Sequence, residues 1–338
     1  MARGLRLAGT FRGLVAVAVL GSSALPCSRA YGLSADELIQ IVKTQESRIR
    51  SGTVISTEHY RNFVLSKTPD EVLRIDSSLP VRSELNREVI ARSQLWFDLS
   101  TGRYKLESVD QRDVRQLLRD AGLPESWLSS VSSTSSSLGG PGVPVIWFHH
   151  GGPERTLLVA RMPAGTKADT SPPSLHTAII RSQALATPSS ISVTEEQWEG
   201  RPMAKVTVTL PWNQIVHHWA DPAIGYRCRR VEYRRLDGGL SQEIKADDFR
   251  LVSGVPYPFR YEERRWDSKG GLANQELITV ESAQFNVPVA KEDLQLQIPA
   301  NTQVSNFVAG HVFHLYRAET IDADSAADIG VTSSRPAP

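Results

Sequence analysis

The hydrophobic period of the chain changes once, near Gly52. Before it, "GLSADELIQIVKTQESRIRSG" places Leu38, Ile41, Val42, Gln45 and Ile49 on one helical stripe. Ser34 and Glu37 have capping-box spacing, Leu33 and Leu38 stand as a hydrophobic staple, and Gly52 suits the position just past the helix end. After it the period is two. In "TVISTEHYRNFVL", Ile55, Thr57, His59, Arg61 and Phe63 alternate with Val54, Ser56, Glu58, Tyr60 and Val64, which predicts a long strand with two mixed faces.

The alternation continues through most of the chain. "QLWFDLSTGRYKLES" predicts a hairpin, with Leu95 and Phe97 before a Ser-Thr-Gly turn and Tyr104 and Leu106 after it. "DQRDVRQLLRDAG" predicts a short helix on Val114, Leu117 and Leu118, stopped by Gly122. "SSVSSTSSSLGGPG", near 129–142, predicts a flexible Ser/Gly-rich loop. Further hairpins turn at His149 to Glu154 and at Glu199-Gly200-Arg201-Pro202. Two extended segments are separated by Asp221 to Gly225. In "GVPYPFRYEERRW", Tyr257, Phe259 and Tyr261 point one way and Arg260, Glu262 and Arg264 the other, with Pro258 marking a strand start or an edge. "NQELITVESAQF" is the last long strand, and a Pro-bounded segment closes the fold. Many hairpins, one firm helix and no β-helix-β alternation predict a mainly β (α+β) fold: a large curled antiparallel sheet or an incompletely closed β-barrel, with an N-terminal helix and a few lid helices. The expected organisation is a signal peptide over 1–30, a single domain over 31–316 and a disordered tail over 317–338.

The N-terminus sets the compartment. Arg3, Arg6 and Arg12 precede the short apolar run "GLVAVAVLGSSAL", no acid appears before Asp36, and "CSRA" offers a small-residue exit after Ala30. This predicts a cleaved export signal and no integral membrane span in the mature chain. An uncleaved anchor and lipidation at Cys27 are the alternatives, and Pro26 fits a lipidation site poorly. Cleavage removes Arg3, Arg6, Arg12 and Arg29, so a formal charge of +1 becomes −3 and gives no pull toward nucleic acid. Of the two cysteines only Cys228 would remain, which excludes an internal disulfide and reads as a small strand residue.

Candidate chemistry is sparse. The chain has no glycine-rich phosphate loop, no His-Glu-x-x-His, no Gly-x-Ser-x-Gly and no Cys-x-x-Cys, which lowers the expectation of an enzyme without removing a hydrolase of unrecognised type. His149-His150 and His217-His218 are strand neighbours facing opposite ways, and His311 and His314 have ligand spacing only on a helix, so no metal or cofactor is expected. The arginine-crowded "WADPAIGYRCRRVEYRRLDGG" resembles an anion site. However, Arg227, Arg229, Val231, Tyr233 and Arg235 fall on one face and Tyr226, Cys228, Arg230, Glu232 and Arg234 on the other, which favours cross-strand ion pairs.

Four stretches carry a family resemblance: "LSADELIQ", the "DPAIGY" turn, "DDFRLVSGVPYPFRY" and "FNVPV" with "LQLQIPANTQV". They are similar to the LolA/LolB-like superfamily of periplasmic lipoprotein carriers, which shares its fold with RseB-type envelope sensors. The resemblance spans most of Leu33 to Val304 and is weakest over 109–190. Asn301 stands where relatives usually have Gly, and no position matches the carrier's functional arginine and loop. The resemblance implies an open β-barrel with a helical lid and a cavity for acyl chains. On that reading the strand aromatics Trp96, Phe97, Tyr104, Trp147, Phe148, Trp219, Tyr257, Phe259 and Tyr261 are the candidate cavity lining. A filled core would use the same residues. The expected function is an exported, non-catalytic binder of lipid or lipoprotein acyl chains. The alternative on the same fold is an envelope-protein interaction or sensor module.

Overall fold

The computed structural model describes residues 33–63, 88–112, 116, 134–139, 145–149, 156–160, 190–210, 214–306, 311–315 and 318–322. The expected export signal and most of the helix expected over 110–122 lie outside these residues; of that segment Asp110 is the end of a strand and Gln116 is helical.

The helix α1 spans Ala35–Glu46, and both halves of the Ser34/Glu37 capping box form. It ends on Ser47 rather than at Gly52. Gly52 already belongs to the first strand, where an added Cβ would sit 2.2 Å from the carbonyl oxygen of Gln284. The glycine is required by close strand approach, not by a helix stop.

The strands follow in chain order as β1 Ser51–Asn62, β2 Glu88–Asp98, β3 Arg103–Asp110, β4 Thr134–Gly139, β5 Val145–His149, β6 Thr156–Ala160, β7 Ser190–Trp198, β8 Arg201–Thr209, β9 Ile215–Asp221, β10 Arg227–Arg234, β11 Leu240–Val252, β12 Val255–Trp266, β13 Leu272–Phe285, β14 Gln295–Ile298, β15 Thr302–Asn306, β16 His311–Leu315 and β17 Glu319–Asp322. Fifteen of them form one sheet in the order β16-β15-β6-β5-β4-β3-β2-β1-β13-β12-β11-β10-β9-β8-β7, and β14 and β17 pair separately. Every pairing is antiparallel except β15 with β6. The end strands β7 and β16 do not meet, so the sheet is open rather than a closed barrel.

Turn chemistry explains the tight meander. Glu199 and Gly200, and likewise Ser253 and Gly254, all have positive φ, as two-residue hairpin turns require. The β7–β8 turn is therefore two residues long, shorter than the four-residue expectation. Asn301 adopts φ 60°, so it fills the turn position that glycine takes elsewhere.

Several expectations change. Part of the Ser-rich stretch expected as a loop is strand β4, and part of the expected tail is strand β17, paired with β14. Pro258 is neither a strand start nor at the sheet's edge. It lies inside β12, opposite Phe249, in the half of the strand that pairs with β11 before β13 joins at Arg260. His311 and His314 sit on a strand rather than a helix, so the helical ligand spacing does not apply. No helix among the described residues is long and apolar enough to cross a membrane.

The arginine-rich stretch contains a bulge. Cys228 pairs with Ala220 and Arg230 with Trp219, so Arg229 is an extra residue and the faces switch across it. Cys228 and Val231, expected on opposite faces, both enter the core under α1. The preceding "DPAIGY" turn docks the helix. Asp221 caps a short 3-10 turn through Ala223 N–H at 2.8 Å and holds the Arg229 guanidinium at 2.6 Å, both groups buried. Gly225, at φ 69°, offers its carbonyl to the Gln45 side-chain amide of α1 at 2.6 Å.

Candidate functional site

Strand alternation gives the sheet two faces of opposite chemistry. On the face that carries α1, Leu38 and Val42 pack on Ala204, Val206, Val208, Val216, Ala220, Cys228, Val231 and Ile244. The apolar band continues through Ala246, Tyr261 and Ile278, with Phe249 beside them. It ends in an aromatic cluster of Phe97, Tyr257, Phe259 and Phe285, joined by Val54, Leu95, Val255 and Val280. Ring centroids there are 5.0 Å apart for Tyr257–Phe285, 6.0 Å for Phe97–Phe285 and 6.2 Å for Tyr257–Phe259, all edge to face. Such pairs contribute about 0.5–1.5 kcal/mol each beyond area burial.

The helix face is graded along its strands. Past the aromatic end come Ser56 and Ser93, both buried, and the Ser93 hydroxyl donates to Ser108 at 3.0 Å. At the far end stand three glutamates. Glu276 is directly opposite Glu263 on β12, and Glu58 on β1 is one step diagonal to it. Burial, then the charges of Glu58 and Glu263, push the Glu276 carboxyl up to about 7, and Arg265 only partly opposes this. Burial also raises Glu58. The face therefore runs from aromatic through hydroxyl to carboxyl, the polarity profile of an amphiphile.

The opposite face is an ion-pair ladder. Arg230 bridges Glu232 and Glu243, the latter at 2.8 Å, Arg234 meets Glu232 at 2.6 Å, and Arg264 meets Glu262 at 2.6 Å. Across β1 and β2, Glu88 holds His59 at 2.6 Å and Arg61 at 2.9 Å. In the "YRCRRVEYRR" stretch Arg229 and Arg230 are answered across strands by Asp221 and Glu243, whereas Arg230 and Arg234 also meet Glu232 within β10, so the expected cross-strand pairing accounts for only part of the ion pairs. His217 lies on this face, 3.0 Å from the Thr207 hydroxyl, its pKa lowered by burial and by Lys205 and Arg234.

The nine candidate aromatics divide accordingly. Phe97, Tyr104, Tyr257 and Phe259 come together on the helix face, and Tyr261 joins the same face in the neighbouring patch. Trp219 is on the ladder face, buried between Lys205 and Arg230 at 5.1 and 4.8 Å from its ring centre, with its indole N–H on Glu196 at 3.3 Å. Trp96, adjacent to Phe97, faces Lys105 on that side at 5.1 Å. Trp147 and Phe148 lie on β5, and their side chains fall outside the described residues. The sequence reading missed Ile278, Val280 and Phe285 as companions of the aromatic face. Alternation within "LITV" marks Ile278 and Val280, whereas Phe285 reaches the same face only through the irregularity at Glu281, which has no local signal. The Glu58–Glu276–Glu263 group had no sequence signal, because strand register alone assembles it.

Cys228 is buried, its S–H donates to the Arg230 carbonyl at 3.0 Å, and burial pushes its thiol up to about 12. It is a packing residue rather than a nucleophile. Among the described residues no group of three or more His, Cys, Asp or Glu side chains is placed to hold a metal ion.

No family model and no curated protein matches the chain. In overall arrangement it is similar to several solved structures. A DUF1329 family protein from Desulfovibrio piger gives TM-score 0.42 at 8% identity, over 76% of this chain and 95% of that one. A putative outer membrane lipoprotein-sorting protein domain from Vibrio parahaemolyticus gives 0.43 at 10%, over 77% and 97%. A LolA superfamily protein from Nitrosomonas europaea gives 0.40 at 12%, over 77% and 97%.

Proposed function

We propose that the protein is an exported, non-catalytic binder of acyl chains, carried by a lipid or a lipidated protein, which it holds against the helix face of its sheet. One observation carries this reading: three apolar clusters lie on that face between α1 and the Phe97–Tyr257–Phe259–Phe285 rings, and along β1 and β2 the aromatic end gives way to hydroxyls and then carboxyls. Apolar burial is non-directional and worth about 25 cal/mol per Å². A chain of methylenes can therefore replace protein contacts along such clusters without a fixed hydrogen-bond pattern. The ladder face offers no equivalent, since its groups are directional and already paired.

The experiment is native mass spectrometry of protein produced with its export segment and purified without detergent, beside lipid extraction of the same sample. A co-purifying acyl species that leaves on organic extraction supports the reading. A protein that stays empty, and takes up no long-chain fatty acid or lysolipid when these are supplied, contradicts it.

A further inference from the structure

The free edge at β7 is built to accept another strand. Among the described residues nothing pairs with β7 on the side away from β8. The strand is nine residues long and keeps one register with β8 from Ser190 to Trp198, with no bulge. Its sequence, "SISVTEEQW", contains no proline and no lysine. Proline, lysine and bulges are three of the devices that keep exposed edges from pairing, and the charge this edge does carry, on Glu195 and Glu196, restricts which strand can pair with it. The opposite edge, β16, is only five residues long. Side chains of Ser192, Thr194, Glu195, Glu196 and Gln197 are exposed, and these alternate between the two faces, so neither face of the strand is covered there.

Hairpin geometry fixes which backbone groups are free. Trp198 and Arg201 close the two-residue turn as a hydrogen-bonded pair. Alternation then directs the N–H and C=O of Ile191, Val193, Glu195 and Gln197 away from β8. The same residues place their side chains on the helix face, where Ile191 and Val193 pack on the core beneath α1. The edge thus presents two apolar positions continuous with the core, then Glu195 on that face and, on the other, Glu196, half-exposed and shared with Lys205 at 2.7 Å.

We propose that β7 is a docking edge for an extended, antiparallel polypeptide segment of another protein, in which two consecutive basic residues are followed by alternating apolar ones. In that register the basic pair opposes Glu196 and Glu195, and the apolar residues oppose Val193 and Ile191 and extend the core under α1. Main-chain hydrogen bonds supply affinity, and the alternate side chains supply selectivity. A second copy of this chain is a poorer occupant, because pairing two β7 strands gathers both copies' carboxylates along one seam. This inference does not depend on acyl binding.

The probe is a capped peptide of order Thr-Arg-Lys-Thr-Val-Thr-Val, titrated into the full chain and followed by fluorescence anisotropy and NMR hydrogen exchange. The expected result is saturable binding with new protection at the amides of Ile191, Val193, Glu195 and Gln197. Replacing Arg-Lys by Glu-Glu in the peptide weakens it at least about tenfold. Glu195→Lys weakens it similarly, and Glu195→Pro abolishes it by removing an outward donor while leaving the β8 ladder intact, with unchanged thermal melting as the folding control. Binding indifferent to both variants, protection elsewhere on the sheet, or protection that arises from self-association without peptide overturns the proposal.

Discussion

Strands β10 to β13 carry two faces built from the same alternation and opposite chemistry. On one, Val231 pairs with Ile244 across β10 and β11, and Ala246, Tyr261 and Ile278 form an apolar row across β11, β12 and β13. On the other, Glu232, Glu243, Arg264 and Gln275 form a polar row in the same four strands. The apolar row holds stability and is indifferent to which apolar atoms it meets. A one-residue slip would exchange the rows, so the alternation itself fixes register, and the individual ion pairs, several of them within one strand, contribute little where solvent reaches them. A sheet so divided has one face able to exchange a protein contact for a ligand and one face that holds its own partners.

This contrast can be broken at four points. Phe97→Ala, at a fully buried ring, removes the centre of the aromatic cluster and should cost about 3–5 kcal/mol in urea unfolding. The second point is Glu276→Gln at the polar end of the same face. A carboxyl whose folded pKa is raised from 4.5 to about 7 contributes its full stability below pH 4.5 and loses it as pH rises through 7. The variant should therefore match the wild type near pH 4 and exceed it by about 2–3 kcal/mol at pH 8, which unfolding curves at the two pH values will show. Gly225→Ala forces a side chain into a φ of 69° and brings its Cβ within 2.2 Å of the Gln45 amide nitrogen. It should cost about 1–2 kcal/mol, with accelerated hydrogen exchange in α1 as its local signature. Arg264→Ala, on the ladder, should cost less than about 1 kcal/mol and lose even that in high salt. A ladder variant as costly as Phe97→Ala would overturn the division of labour.

The parts legible in the sequence were those written in local chemistry. The Ser34/Glu37 cap, the Glu199-Gly200 turn and the two faces of "YPFRYEERR" each depend on a few adjacent residues. What depends on partners far along the chain was not legible. The insertion of β1 between β2 and β13 and the parallel β15–β6 pair leave no local mark. The Arg229 bulge reverses the faces of its strand, which is why Cys228 was expected opposite Val231. The candidate site shows the same limit. Adjacent aromatics such as Trp96 and Phe97 were grouped by type, but pleating sends one to each face, and Trp219 belongs to the ladder. The carboxyl group at Glu58, Glu263 and Glu276 arises only once three strands are in register.

The most direct measurement places an acyl chain on one face or the other. A fatty acid bearing a nitroxide near its methyl end is added to protein with labelled methyl groups, and paramagnetic broadening is read by NMR. Ile278 and Val280 report the helix face, and Leu277 and Ile90 report the ladder, since Leu277 and Ile90 flank His59 in register. The account predicts saturable broadening of Ile278 and Val280 with Leu277 and Ile90 little changed. Equal broadening of both sets, or broadening confined to Leu277 and Ile90, would contradict it.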